Sequence, residues 1–220
     1  MFTRKRKIAV FAETSTDEDL LGLMMAGDES AFTALYRRRH AGVYRFALQM
    51  SGSAEIAEDV TQEVFMTLVR EARRFDAARG TLVSFLYGVA RNHLRRLHEK
   101  SRPLVQLSGE HADEEASAAA SIESTNAPHD PLSELVRNQT VERLRQCVLG
   151  LPPHYREVVV LCDLHEMSYA EAASVLNCAV GTVRSRLHRA RSMLLERLRV
   201  DAATPSESEA EKVYPVRCLA

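Results

Sequence analysis

The chain contains no tryptophan, and no apolar run approaches the roughly 18 to 20 residues of a membrane span, so membrane insertion is not expected. Its basic start, Met1 to Lys7, is followed by the apolar stretch Ile8 to Ala12 and then at once by acidic residues. That stretch is shorter than the roughly 7 to 15 residues of a secretory core, so no signal peptide is expected either. Glycine and proline are scarce, at nine and seven, too few for a sandwich of many strands and tight turns. The four cysteines, Cys147, Cys162, Cys178 and Cys218, show no C-x-x-C spacing. Neither a metal site nor a disulfide framework is expected, and a reduced cytoplasmic protein is the plain reading. Net charge is also lacking: 29 Lys+Arg stand against 30 Asp+Glu, which excludes a globally basic coat for nucleic acid.

What is present points to helices. Hydrophobic residues make up 45% of the 220 positions, enough for a packed core, and Leu, Ala, Arg and Glu dominate. The balanced charge is strongly segregated. Between Pro103 and Pro131 there is no Lys or Arg, but there are six carboxylates, Glu110, Asp113, Glu114, Glu115, Glu123 and Asp130. Rich in Ser and Ala, this stretch is too polar to bury itself and reads as a flexible acidic linker. Arg-dominated clusters flank it: Arg37 to Arg39, then Arg91, Arg95, Arg96, Lys100 and Arg102, then Arg184, Arg186, Arg189, Arg191, Arg197 and Arg199. Two basic modules on an acidic tether suggest two contacts with a polyanion. The expected fold class is all-α, with an N-terminal extension (1–24), a helical domain (25–102), the linker (103–133), a helix-turn-helix domain (134–200) and a polar tail (201–220).

In the first module Phe32, Leu35, Tyr36, Val43, Phe46, Ala47 and Met50 outline one or two helices, interrupted at Ser51-Gly52-Ser53. A second helix, from about Ala54 to Arg73, carries Val60, Val64 and Leu68 on one stripe with Phe65 and Val69 beside it. Asp59, Gln62 and Glu63 share its outer face at i, i+3 and i+4. Phe75 to Gly80 reads as a loop. From Thr81 a third helix buries Leu82, Phe85, Leu86, Val89, Ala90, His93, Leu94 and Leu97 and presents Arg91, Asn92, Arg95 and Arg96 opposite.

In the second module Pro152-Pro153 opens a helix burying Val158 to Leu161 and Leu164. Ser168-Tyr169-Ala170-Glu171 is a capping-box pattern that starts a short helix ending near Asn177. A turn over Cys178 to Val180 leads into a long Arg-rich helix, so the whole reads as a helix-turn-helix. On that long helix Val183, Leu187, Ala190 and Leu194 form an apolar face, while Arg184, Ser185, His188 and Arg189 form another. Guanidinium forks beside shorter polar groups suit base edges in a major groove, where Arg pairs two acceptors of guanine. Arg186 and Arg191 lie toward the flanks and suit phosphates.

Two blocks in this order resemble the bacterial RNA polymerase sigma factors of the extracytoplasmic-function (ECF) subfamily. The first is Asp59-Val60-Thr61-Gln62-Glu63-Val64-Phe65 with Phe85-Leu86-Tyr87-Gly88-Val89-Ala90-Arg91-Asn92. The second joins Leu151-Pro152, Ser168 to Ala173 and Gly181-Thr182-Val183-Arg184-Ser185-Arg186-Leu187-His188-Arg189-Ala190-Arg191. Phe85 stands where that family usually has Trp, and Ala179 where Pro or Ser often precedes the recognition helix.

The resemblance implies a protein that binds core RNA polymerase, takes it to promoter DNA and is held by an anti-sigma factor. It implies no cofactor and no catalytic residue. Asp59, Gln62 and Glu63 would meet the polymerase clamp helices. Phe75, Arg91, Asn92, Arg95 and Arg96 would meet the −10 element, with Phe75 as a wall or stacking platform for an unstacked base. Arg184, Ser185, Arg186, His188 and Arg189 would meet the −35 element. Two rival classes remain at this point: a regulator that binds DNA without polymerase, and an enzyme fused to a helix-turn-helix. The first would need a sensor domain, yet the N-terminal part has no βα alternation. The second would need a convergent catalytic set, yet the eight histidines are scattered.

Overall fold

A computed structural model describes residues 15–101 and 131–203, and every described element is helical. The acidic stretch between Arg102 and Asp130, and the tail beyond Ala203, lie outside the described residues. The elements are α1 (Asp17–Met25), α2 (Glu29–Ser51), α3 (Ala54–Glu71), α4 (Leu82–Ser101), α5 (Pro131–Leu149), α6 (Pro153–Val159), α7 (Tyr169–Leu176) and α8 (Val180–Ala203).

Helix α1 falls across the boundary set at residue 24 between extension and domain. Its signals were present but faint. Thr16 accepts a hydrogen bond from the Asp19 amide at 3.1 Å and donates its own amide to Asp19 at 3.0 Å, closing a capping box. The Thr16 bonds hold the Asp19 carboxyl below the usual carboxylate range. Leu20 and Leu21 are buried against α2. Asp17, itself buried, accepts from Arg38 at 2.9 Å and from Arg39 at 2.5 Å. The Arg37 to Arg39 run is therefore not a bare basic patch, because two of its three charges neutralise one carboxylate.

Helix α2 is continuous over the segment read as one or two helices. It ends at Gly52, whose φ of 74° is the left-handed conformation that closes helices and that glycine adopts without a Cβ clash. Ser53 then caps α3, where Val60, Val64, Phe65 and Leu68 are buried. Val69 is exposed instead, because nine residues at 100° each place it opposite Val60. The segment after α3 contains two short 3₁₀ turns, Ala72–Arg74 and Ala77–Arg79, flanking Phe75 and Asp76. In α4, Leu82, Leu86, Ala90 and Leu94 are buried and Phe85, Val89 and His93 partly so. Leu97 keeps the phase of that stripe but is exposed, since the helix outruns its packing partners.

The C-terminal unit has α6, α7 and α8 around Val158, Leu161, Ala172, Leu176, Val183 and Leu187. Helix α6 continues as a π-helical turn, Val160–Leu164. That wider turn shifts the helical phase, and Leu164, expected in the core, comes out exposed. Helix α5 begins at Pro131, inside the span assigned to the linker, and α8 runs three residues past the expected end at 200. The two units pack directly on each other, α4 against α7 and α2 against α5 and the π-helical turn.

Leu20 has no exposed surface, so Leu20→Ala should lower unfolding free energy by about 2–5 kcal/mol in urea titrations. An unchanged midpoint would mean that α1 lies outside the cooperative unit.

Candidate nucleic-acid interface

The helix-turn-helix is built locally. Ser168 accepts from the Glu171 amide at 3.2 Å while its own amide donates to the Glu171 carboxylate at 3.0 Å, so α7 starts where the capping pattern says. Asn177, at φ 50°, ends α7 in the left-handed region that short polar side chains tolerate. The Ala179 carbonyl accepts from the Thr182 and Val183 amides and opens α8 without a side-chain cap at that residue.

On α8, Val183, Leu187, Ala190 and Leu194 are all buried, and this fixes the rotation of the helix. Arg184, Ser185, His188 and Arg189 are thereby exposed together. Arg186 is half-buried at the edge of this face. The Ser185 hydroxyl donates to the Thr182 carbonyl at 3.1 Å, which leaves its oxygen free to accept. Arg191 is committed elsewhere. Its guanidinium makes two bonds to Asp163, at 3.1 and 2.5 Å, and the hydrogen bond and charge of that carboxylate raise its pKa. It ties α8 to the π-helical turn rather than standing ready for a phosphate.

In the N-terminal unit Asp59 and Gln62 are exposed on α3 and Glu63 is half-exposed, with Arg70 Nη1 3.6 Å from its carboxylate. Phe75 is half-buried and meets Phe85 edge-on, with ring centroids 5.9 Å apart at 73°. The ring that stands where the resemblance expects Trp is thus the one that braces Phe75. Asn92, Arg95 and Arg96 are exposed together on α4.

Arg91 is separated from them. Its Nε donates to Glu157 Oε1 at 2.7 Å and its Nη2 to Oε2 at 3.2 Å, and the side chains are 15% and 9% exposed. Sequence reasoning missed Glu157, Arg156 and His165, which form this seam. Arg156 donates to the Met50 carbonyl at 2.7 Å, across the units, and to the Leu149 and Leu151 carbonyls. Burial, and then the charge of Arg197, pushes its pKa down. The available signal was a charged pair, Arg156-Glu157, beside the apolar run Val158 to Leu161.

Two family models match the chain: sigma-70 region 2 over residues 35–103 and sigma-70 region 4 over residues 141–194. The ECF RNA polymerase sigma factor SigW of Bacillus subtilis is 32% identical, over 79% of this chain and 91% of its own length. The ECF RNA polymerase sigma-E factor of Escherichia coli is 31% identical, over 83% and 94%. The chain belongs to the ECF RNA polymerase sigma factors. It binds core RNA polymerase and directs it to promoter DNA for transcription initiation. The solved structure of CnrH with the cytosolic domain of CnrY shares the fold, at a TM-score of 0.62 and 23% identity over 84% of this chain and 98% of that one.

In this sigma factor the seam also holds a histidine. Tyr87 Oη lies 2.8 Å from His165 Nδ1, and Gln49 Oε1 lies 2.9 Å from His165 Nε2. The two partners assign a neutral ring, with Nδ1 accepting from the phenol and Nε2 donating to the amide oxygen. Burial, and then the Arg45 charge, lowers the His165 pKa from 6.5 to about 4. Tyr87 is raised, chiefly by burial. Arg38, Arg39 and Glu166 line the same cleft. Because the folded value lies below the unfolded one, the neutral ring contributes stability that is fully present above pH 6.5. That contribution is lost as pH falls through the window down to about 4. The thermal midpoint should therefore fall more steeply with acidification in the parent than in His165→Gln. Parallel curves for the two would sink this assignment.

Proposed function

We propose that residues 25–102 bind core polymerase and the −10 element, that residues 134–200 bind the −35 element, and that the intervening acidic stretch tethers the two. The observation that carries this reading is the exposed set Arg184, Ser185, His188 and Arg189, fixed by the buried face Val183, Leu187, Ala190 and Leu194. Arg184 and Arg189 read base edges, and Ser185 and His188 add shorter polar contacts. Arg186, at the edge, takes a phosphate. On the other unit, Asp59, Gln62 and Glu63 meet the polymerase clamp. Asn92, Arg95, Arg96 and Arg91 contact the −10 element, with Phe75 against an unstacked base.

The protein works in the cytoplasm, is not an enzyme, and is controlled by an anti-sigma factor. In support of the last point, the related fold of RpoE from Bartonella quintana was solved in complex with the anti-sigma factor NepR, at 22% identity and a TM-score of 0.55 over 77% of this chain and 98% of that one.

Arg184→Ala and Arg189→Ala should each weaken specific −35 binding by about 1 to 3 kcal/mol and relax base preference there. Equal losses on specific and random duplexes in a titration would make them phosphate contacts instead. Gln62→Ala with Glu63→Lys should weaken core-polymerase binding while leaving the circular dichroism spectrum unchanged. Normal core binding by that double variant would remove the acidic face from the assignment.

A further inference from the structure

Helix α8 carries a guanidinium that the −35 reading leaves unused. Arg191 follows Arg184 by seven residues, and seven steps of about 100° bring it to within about 20° of Arg184, about 10 Å farther along the same edge of α8. Its side chain is 53% exposed. A cation two turns beyond a base-reading arginine, on a helix lying in a groove, has the flanking sugar-phosphate backbone within reach. Its charge is nevertheless cancelled. Asp163, 28 positions away on the π-helical turn, accepts from Nε at 3.1 Å and from Nη2 at 2.5 Å.

Stability does not account for this pair. It is open to water and salt, with the Asp163 side chain 28% exposed, and such pairs contribute little. The rotation of α8 is already set by Val183, Leu187, Ala190 and Leu194. What the pair changes is charge. A phosphate could take Arg191 only by leaving the Asp163 carboxylate bare beside the same polyanion, so the exchange releases no net counterion. We infer that Asp163 is a specificity-determining residue, which by pairing Arg191 at the edge of the reading face withholds one cation from the DNA backbone and limits sequence-independent binding. Base contacts fix the register of α8 on its own −35 sequence. On any other sequence the helix is free to shift toward whichever phosphates its cations reach. An unpaired Arg191 therefore adds most to the complexes that should be weakest. Asp163 itself touches no base and acts through Arg191.

The full chain, Asp163→Asn, and Asp163→Asn combined with Arg191→Gln are titrated over a range of salt with two probes. One is a short random-sequence duplex, and the other a duplex selected from a random pool by the holoenzyme of the parent chain. Because this role rests on α8 being the −35 helix, Arg186→Ala, which removes a proposed phosphate contact, is measured alongside. Asp163→Asn should bind the random duplex roughly five- to tenfold more tightly at about 0.1 M salt, with a salt dependence steeper by about 0.9, the value of one phosphate contact. Its gain on the selected duplex should be smaller, so discrimination falls. The double variant, one neutral pair in place of another, should return to the parent on both probes. A double variant weaker than the parent would put Arg191 on a phosphate already, and a tighter one would mean that Asp163 acts by its own repulsion. Either result overturns the role, even where Asp163→Asn alone folds poorly. Equal gains on both probes, or no gain, overturn it as well. If Arg186→Ala then weakens binding, the −35 reading of α8 stands without it; if Arg186→Ala binds as the parent does, that reading falls too.

Discussion

The Arg91–Glu157 pair is the interaction on which the arrangement of the two units turns. A buried ion pair contributes little net stability, because desolvation offsets most of the attraction, but either partner left alone in the seam is costly. Such a pair therefore specifies geometry more than it adds to stability. It holds α4 in one register against the C-terminal unit. Around it, Tyr87, His165 and Gln49 each use their hydrogen-bonding capacity across the seam, and Arg156 bridges to the end of α2. Most of this polar seam is satisfied in the packed arrangement, with Arg156 Nε buried and left without a partner.

The same logic explains why the two faces proposed to read DNA are built on helices with strongly buried opposite sides. The rotation of α8 is set by four buried residues, so its four exposed polar residues arrive in one fixed pattern. The rotation of α4 is set likewise by Leu82, Leu86, Ala90 and Leu94. Capping motifs at Thr16, Ser53 and Ser168 fix where the helices start, and hence where those faces begin.

Arginine is used here in two distinct ways. Arg38, Arg39, Arg91, Arg156 and Arg191 are held by carboxylates or carbonyls and organise the fold. Arg184 and Arg189 are exposed, as are Arg95 and Arg96, although Arg95 Nη2 lies 3.9 Å from Glu99. A charge run in the sequence does not separate these uses. Asp17 and Asp163, which commit Arg38, Arg39 and Arg191, lie 21 to 28 positions away from them.

The sequence by itself determined the all-helical class, the helix-turn-helix with its capping box, and the apolar face of α8, because these depend on neighbours three or four residues apart. It also carried the family blocks, whose residues sit in contiguous runs. It did not place α1 in the core, because a nine-residue helix with only two buried leucines gives a weak periodic signal. It placed Leu164 in the core, because a π-helical turn changes the phase that periodicity assumes. Tertiary structure alone decided which arginines are committed and which are exposed. It alone brought Arg91 to Glu157, 66 positions on, and Tyr87 to His165, 78 positions on. Those pairings follow from how two separately legible helical units pack, and helical periodicity, being local, says nothing about that.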